Sequence, residues 1–317
     1  MITSILRTFG RRYLDVSLRT GDGLQVRIIE RPSNWMPKDD LADLRHALMQ
    51  VARRTLPEGA LDYGVFSDDQ AVFERVIITL VSRPDGVPIA FNVLTVMTLD
   101  TAPAPTEVLH LGLVMVDPDE RSKNLSWVLY GLTCFLIFLR NQFRPMWVSN
   151  VTQVPAVAGM VSEMFSDVWP GPVAGPRRLR HLLLGRAIMQ DHRTVFGVGP
   201  AAGFEESRFV ITDAYTGGSD DLKKTWDAAP KHRDDAYNSF CQSQLDYVRG
   251  DDLLQLGQMD VGAMRRYLAR QVPRAAISGL LLTGGLVMIQ RLLLPVVHWL
   301  DAGQGWSILR PAKGGDK

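Results

Sequence analysis

Three long runs with strand-like composition, joined by short links, constrain this chain of 317 residues more than any other feature. Residues 71–82 and 88–99 are apolar and rich in β-branched side chains, which favour strands. The link RPDG between them places proline and glycine where hairpin turns use them. A loop at 101–106 leads to a third run at 108–116. The sequence therefore predicts an antiparallel meander of three strands.

Further elements flank the meander. Residues 24–30 alternate like a strand, and residues 38–56 have the apolar spacing of an amphipathic helix. After the third run we expect a strongly apolar helix at 121–142, a short strand at 145–151 and a helix at 154–165. The predicted fold class is α+β (α/β), with a mixed, mainly antiparallel sheet flanked by helices and a helical C-terminal extension.

The second half of the chain gives weaker signals. Residues 193–200 and 207–215 indicate short strands, and the polar stretch 216–235 indicates a loop. Residues 236–248 and 261–272 have helical patterns. We divide the chain into an N-terminal amphipathic helix, a core domain, additional strands and helices, and an apolar C-terminal segment flanked by basic residues: 1–20, 21–176, 177–260 and 261–317.

Charge is distributed unevenly along the chain. Residues 1–20 carry a net charge of +3 and residues 261–317 carry +6, whereas the whole chain carries only +1. The middle of the chain is therefore acidic and the two ends are basic. Basic ends suit contact with an anionic surface, but they lack the interleaved aromatic residues of a nucleic-acid site. We expect a membrane surface and no nucleic acid as partner.

Both basic ends also contain apolar faces. At the N-terminus, arginines lie off an apolar helical face, a pattern typical of an interfacial helix, although an ordinary docking helix would have the same pattern. That face consists of Ile2, Ile5, Leu6, Phe9 and Tyr13. Residues 275–300 are almost wholly apolar, but a spanning helix would bury Arg291 at a cost of roughly 2.5–3.5 kcal/mol. We expect a shallow membrane-inserted or hairpin segment, with a buried core helix as the alternative.

A polar turn between the third run and the apolar helix predicts an anion site. Residues 117–120 (Asp-Pro-Asp-Glu) end the run, and Arg121 and Lys123 lie where the helix is expected to begin. Amides in the first turn of a helix have no intrahelical partner, and the helix dipole is positive there. A pyrophosphate suits such a turn, although neither GxxxxGK[ST] nor GxGxxG occurs in the sequence.

The order of elements and this turn together resemble the GNAT N-acyltransferases. That family carries Q/R-x-x-G-x-G/A after its fourth strand, preceded by V-x-P. Here the segment 116–118 (Val-Asp-Pro) precedes Arg121-Ser-Lys-Asn-Leu-Ser126, so the arginine matches. Asn124 and Ser126 replace the two glycines; asparagine tolerates positive φ well among non-glycine residues, and serine is small. The resemblance covers residues 24–176.

The resemblance implies where an acyl-CoA donor substrate binds; it implies no permanently bound cofactor. The pyrophosphate would bind the turn, and the pantetheine arm would pair with the fourth strand where strand 146–150 diverges from it. The donor-binding residues implied in this way are Leu113, Val114, Met115, Val116, Arg121, Ser122, Lys123, Asn124, Leu125, Ser126 and Asn150.

The resemblance also implies a catalytic base on the fourth strand, eleven residues before the turn motif. His110 occupies that position, and a neutral imidazole near pH 7 suits proton removal from an amine. Gly112 is expected to leave open space beside the ring, and Glu107 is the nearest alternative base. A core histidine with a satisfied hydrogen bond remains an open alternative. Phe165 stands near the position of the family's proton-donating tyrosine, so no general acid is assigned.

Other chemistries lack their signatures. The sequence contains no HxxxxD and no GxSxG motif, and its six histidines include no HExxH and no close pair, so we predict no metal site. Cys134 lies in an apolar run and predicts a buried thiol in a reducing compartment. Without a convincing secretory signal, we expect a cytoplasmic protein, peripheral on the inner face of the cytoplasmic membrane.

Taken together, the core resemblance and the apolar, basic ends imply a membrane-associated N-acyltransferase. It would move a long acyl group from acyl-CoA to a lipid amine, like the bacterial enzymes that N-acylate sphingoid bases to make ceramide. One alternative is N-acylation of an amino acid such as ornithine or glycine. A second alternative is a GNAT-like scaffold without activity, because Asn124 and Ser126 depart from the family motif.

Overall fold

The computed structural model describes seven parts of the chain: residues 13–56, 64–67, 69–101, 104–123, 125, 127–217 and 219–300. Side chains are not described for residues 122, 123, 275, 286 and 290–300. Most of the predicted N-terminal helix lies outside the described residues, as do Asn124 and Ser126. The last part of that predicted helix is wrong, because Asp15–Arg19 forms a strand.

A single ten-stranded sheet organises the described part of the chain, in the order β1-β2-β3-β4-β5-β6-β10-β9-β8, with β7 pairing β10 off this path. The strands are β1 Asp15–Arg19, β2 Gln25–Glu30, β3 Val76–Ser82, β4 Pro88–Leu99, β5 Thr106–Val116, β6 Met146–Thr152, β7 Ser166–Trp169, β8 Gly203–Glu205, β9 Val210–Thr212 and β10 Asp252–Met259. Among these strands only β5 and β6 pair in parallel. The predicted mixed, mainly antiparallel sheet is confirmed.

Seven α-helices flank the sheet within the described residues. They are α1 Lys38–Thr55, α2 Thr133–Arg140, α3 Pro155–Met164, α4 Leu179–Asp191, α5 Asp235–Gln244, α6 Val261–Arg270 and α7 Ile277–Leu300. Helix α1 packs on Phe91 and Val93 of β4, and α4 packs in the cluster that contains Met97. Alternate residues of a strand share a face, so α1 and α4 cover one face. Helices α2, α3, α6 and α7 join the core on the other face.

The predicted meander is confirmed as β3, β4 and β5, which pair antiparallel in sequence order. Its first run begins later than predicted, because Gln70–Glu74 forms a 3₁₀ turn. Asp69 caps that turn by accepting a hydrogen bond from the Ala71 amide at 2.9 Å. The local cap outweighs the strand-like composition. Phe73 is buried in the core, but it belongs to the 3₁₀ turn and not to a strand.

The apolar helix predicted at 121–142 is broken into three pieces. Pro118–Lys123 forms a 3₁₀ turn and Trp127–Leu132 forms a π-helical segment, so regular α-helix begins only at α2. A π turn displaces backbone hydrogen bonds. In this segment, buried polar side chains donate hydrogen bonds to the Leu129 carbonyl oxygen. Asn92 and Thr133 both donate to that oxygen. The π segment therefore depends on polar residues that helical periodicity does not predict.

Gly131 of the π segment provides a stability test. A Cβ at this position would lie 2.0 Å from Cε2 of Tyr267, a buried ring whose hydroxyl donates to the Trp127 carbonyl at 3.1 Å. We expect Gly131→Ala to lower the free energy of unfolding by about 1–3 kcal/mol through overpacking, measured by denaturant titration. Gly279→Ala is the control, because no atom lies within 4 Å of its Cβ position. Equal losses in both variants would contradict the prediction.

The later part of the chain adds strands to the same sheet. Residues 193–200 were predicted as a strand, but Arg193–Phe196 is a 3₁₀ turn that ends at Gly197 with φ of 70°. The strand predicted at 207–215 is confirmed over the three residues of β9. Strand β10 was not predicted, although it pairs with β6 over seven residues. Strands from both sides of residue 176 therefore belong to one sheet.

Helix α7 is continuous, so the hairpin predicted for residues 275–300 is wrong. It packs one face on α2, where a Cβ on Gly284 would lie 2.8 Å from Cδ1 of Leu139. The opposite face exposes large apolar side chains, namely Leu281, Leu282 and Ile289. Within the residues that the structure describes, no helix combines the length and hydropathy needed to cross a membrane.

Candidate functional site

The site lies where two parallel neighbours separate. Strands β5 and β6 pair only at Val108–His110 with Trp147–Ser149. Beyond that register β5 continues to Val116 and β6 continues to Thr152. A cavity of about 440 Å³ occupies the gap between the diverging strands. The resemblance implies divergence along 146–150, but residues 147–149 still pair with β5, so the strands separate only after Ser149.

A β-bulge in β5 contributes to this divergence. Asn92 pairs with Val114 and Leu94 pairs with Leu111, so β5 has one more residue than β4 over this interval. Such a bulge bends its strand and increases the local twist. A Cβ on Gly112 would lie 2.4 Å from the Val93 carbonyl oxygen. The prediction that Gly112 leaves open space beside the imidazole is therefore wrong; the glycine allows the two backbones to approach.

The cavity borders both faces of the sheet. On the face covered by α1 and α4 it is lined by His110, Phe196, Tyr215 and Asp252. On the opposite face it is lined by Tyr130, Asn150 and Val157. A cavity placed between splayed strands can hold one reactant along the strand edge and a second reactant against either face.

His110 lines the cavity at the last position where β5 pairs with β6, and it is 3% exposed. Its Nδ1 lies 3.1 Å from the Ser149 hydroxyl, and its ring centroid lies 5.1 Å from that of Phe196. Burial lowers the pKa of His110 to about 4, so the imidazole is neutral at pH 7, as predicted. The same shift makes it a weak base, because a low pKa means a small driving force for proton uptake.

Asp252, at the start of β10, is the buried one of the two described carboxylates that line the cavity, with 5% exposure, whereas Asp69 is exposed. Burial raises the pKa of Asp252 to about 7, against an opposing hydrogen bond from Tyr215. The Tyr215 hydroxyl donates to Asp252 Oδ1 at 2.9 Å. A carboxylate whose pKa lies near the operating pH has the protonation behaviour required of a general base.

The sheet register relates these two groups. His110 is opposite Ser149, and Ser149 is opposite Leu256 of β10. Asp252 lies four residues before Leu256 on the same face of β10, which corresponds to roughly 13 Å along the strand direction. His110 therefore lies where β5 and β6 still pair, whereas Asp252 lies level with the end of β6.

The predicted donor-binding residues of β5 fall into two groups. Leu113 and Val114 line the cavity. Met115 is buried in the cluster under α1, and Val116 packs in the core under α2; neither lines the cavity, so their predicted donor contact is not supported. Asn150 lines the cavity, but its amide also donates to Gln255 Oε1 at 3.2 Å. The bulge and the sheet neighbours decide this division, which strand alternation alone does not predict.

The turn after β5 differs from the predicted helix start. Arg121 is exposed on the 3₁₀ turn, and only the backbone of Ser122 and Lys123 is described. Leu125 is 6% exposed and belongs to the hydrophobic core. The turn does not line the cavity within the described residues. Its amides belong to a 3₁₀ turn and not to the first turn of an α-helix. The prediction of an anion site from free α-helical amides at this turn is therefore wrong.

Glu107, the alternative base, lies at the surface beside Arg31. Its side chain is 58% exposed and lies 3.9 Å from a guanidinium nitrogen of Arg31. It is not among the residues that line the cavity. Glu107 neighbours Val108, which shares the His110 face, so it projects from the other face of β5.

Several residues of the cavity were missed in the sequence. Asp252 and Tyr215 are distant from His110 along the chain, and Lys224 lies in the stretch predicted to be a loop. The Tyr130 hydroxyl donates to the Gly112 carbonyl at 3.3 Å from the π segment. The one available signal was an acidic pair, residues 251–252, immediately before the leucine-rich segment 253–256, because acids are rarely buried without a reason.

Comparison with known proteins does not assign the chain to a family. No protein-family model matches the chain, and no curated protein is significantly similar to it. The function is therefore argued from the cavity and its side chains.

Proposed function

We propose that the protein is a GNAT-like N-acyltransferase that moves a long acyl group from acyl-CoA to a lipid amine at a membrane surface. A sphingoid base is the proposed acceptor, so that the product is a ceramide. The observation that carries the proposal is the cavity between the diverging β5 and β6, which contains a buried carboxylate with a pKa near 7.

The donor is proposed to lie along β5. From Leu111 onward this strand does not pair with β6, so one edge of its backbone is available to an extended ligand. Peptide-like ligands bind such edges through backbone hydrogen bonds, and a pantetheine arm contains amide groups of this kind. Leu113 and Val114 at the cavity wall would contact it.

The proposed reaction is attack of a neutral amine on the thioester carbonyl. The C–N bond forms, the C–S bond breaks, CoA leaves as thiolate, and the amine loses one proton. We assign this proton to Asp252, directly or through one water, because its pKa of about 7 suits a general base. His110, with a pKa of about 4, is assigned to positioning of the acceptor beside Ser149.

A second candidate acceptor is an amino acid. Lys224 and Arg75 line the cavity, and a cationic group there favours an acceptor that carries a carboxylate. Ornithine or glycine would present an amine to Asp252 and a carboxylate to these side chains. An inactive GNAT-like scaffold would bind acyl-CoA without turning it over.

A product assay separates these candidates. The full chain is incubated with a long-chain acyl-CoA and either sphinganine, ornithine or glycine, and products are identified by mass. We expect N-acylsphinganine and free CoA in equal amounts. Acylation of the amino acids alone would select the second candidate. Binding of acyl-CoA without any product would contradict the enzymatic proposal and support the scaffold.

Donor binding gives a further prediction at the turn after β5. The exposed guanidinium of Arg121 is the remaining support for a pyrophosphate at this turn, so Arg121→Glu should weaken binding of CoA by about 1.5–3 kcal/mol through loss of a charge-assisted hydrogen bond. Arg144→Glu is the matched control, because Arg144 is also exposed in a turn. Affinities are measured by calorimetric titration. An unchanged affinity for Arg121→Glu would place the pyrophosphate elsewhere.

A further inference from the structure

The exposed face of α7 is unusual for a docked helix. The exposed fractions of its large apolar side chains are 59% for Leu281, 68% for Leu282 and 45% for Ile289. These positions lie within about a quarter to a third of the helix circumference, since successive residues are separated by about 100°. The buried residues Leu280 and Val287 occupy the opposite side. The helix therefore presents a continuous apolar strip outward while it is anchored to α2.

Strong positive charge accompanies this strip. From residue 261 to residue 300 the sequence contains five arginines and no aspartate or glutamate. Arg265, Arg270 and Arg274 are exposed on α6 and on the link to α7. Positive charge next to an outward apolar strip is the composition of a surface that binds anionic lipid.

A basic groove of about 650 Å³ lies between α3 and α6 and shares Arg270 with these exposed arginines. It is lined by four cationic side chains, Lys231, Arg233, Arg266 and Arg270, against the single acid Glu163. Glu163 is paired with Arg233 at 2.8 Å. The groove therefore keeps an excess of positive charge beside the exposed arginines.

We infer that the α7 strip, the exposed arginines of α6 and its link, and the α3–α6 groove form one surface that docks on an anionic phospholipid bilayer. The leucines enter the acyl-chain boundary, and the arginines contact the lipid phosphates. A second copy of the chain is a poorer occupant. A two-fold interface sets the same patch against itself, which would oppose arginine to arginine without an acid in residues 261–300.

This inference deepens the membrane part of the proposed function, on which it rests, and gives the protein a defined orientation. Vesicle binding is measured without acyl donor or acceptor. A failure to dock is therefore distinguishable from a failure to transfer acyl groups.

The test is flotation of the full chain with vesicles of phosphatidylcholine alone or mixed with phosphatidylglycerol. We expect binding to the anionic vesicles only, weakened by salt. Leu282→Glu should lower that binding roughly tenfold or more. Leu179→Glu is the matched control, because Leu179 is 69% exposed on α4, away from this surface, and its binding should be unchanged.

Charge is tested separately. The double variant Arg270→Gln, Arg274→Gln should bind anionic vesicles about fivefold more weakly for each charge removed. The control is the double variant Arg53→Gln, Arg144→Gln, whose arginines are exposed elsewhere, and its binding should be unchanged. Equal binding to neutral and anionic vesicles would overturn the inference. Normal binding by Leu282→Glu would also overturn it. A dimer in lipid-free solution that Leu282→Glu dissociates would assign the strip to a second copy instead.

Discussion

Asp252→Asn is expected to lower acyl transfer by about 10²–10⁴-fold, the usual contribution of a positioned general base. The amide has nearly the same shape as the carboxylate and can still accept the hydrogen bond from Tyr215, but it cannot take a proton. Donor affinity should be unchanged, because a base acts on the transition state. Turnover is measured under saturating acyl-CoA, and donor affinity is measured by titration.

The pH dependence gives the prediction its direction. Burial raises the pKa of Asp252 to about 7, so the wild-type carboxyl is protonated and inactive as a base below this pH. The rate should rise as pH increases through about 7. Tyr215→Phe removes a hydrogen bond that holds this pKa down, so the rise should move to higher pH. The acceptor amine has the same pKa with the wild type and with Tyr215→Phe, so a difference in the pH at which the rate rises reports on Asp252.

The stability of the wild type should fall as pH rises, whereas its rate should increase. An acid whose pKa is raised on folding stabilises the folded state below its unfolded pKa of about 4, and this contribution is lost as pH rises through the folded pKa of about 7. Asp252→Asn avoids the buried charge. Its melting temperature should equal that of the wild type near pH 4 and exceed it at pH 8.

His110→Ala provides the contrasting outcome. Because His110 is assigned to positioning, its removal should raise the KM of the acceptor more than it lowers kcat, and it should leave the pH at which the rate rises unchanged. If Asp252→Asn retains near-normal turnover while His110→Ala loses about 10²-fold or more in kcat, the proton transfer belongs to His110. The sequence-based prediction of the base would then stand.

Gly112→Ala is expected to cause the largest loss of stability, about 3 kcal/mol or more. The new Cβ would lie 2.4 Å from the Val93 carbonyl oxygen. This neighbour is backbone of an adjacent strand, so no side-chain rotation relieves the contact. The bulge must deform, and with it the wall of the cavity at Leu113. Stability is measured from the midpoint of denaturant unfolding, and donor binding is measured on the folded fraction.

Gly175→Ala is the control for this substitution, because no atom lies within 4 Å of its Cβ position and it is exposed. Its unfolding midpoint should remain close to that of the wild type. An equally small change for Gly112→Ala would mean that β4 and β5 are not held at this distance. The close approach of their backbones at the bulge would then be wrong.

Elements with local signals could be predicted from the sequence. The composition of residues 71–99 and the turn RPDG were sufficient for the β3–β4 hairpin, because both its strands and its turn are contiguous. The amphipathic spacing of residues 38–56 was sufficient for α1. The run around Cys134 correctly indicated a buried thiol, because its composition is predominantly apolar.

The composition of the cavity, in contrast, depends on contacts between elements that are distant in the sequence. Strand β10 pairs with β6 across a large separation in sequence, and nothing local specifies that register, so Asp252 was missed. Its pKa depends on removal from water, which results from the elements packed around it. His110 was predicted from its position in the chain, but its weak basicity follows from the same burial. Sequence periodicity describes one element at a time, whereas desolvation, strand register and the Gly112 contact depend on several elements together.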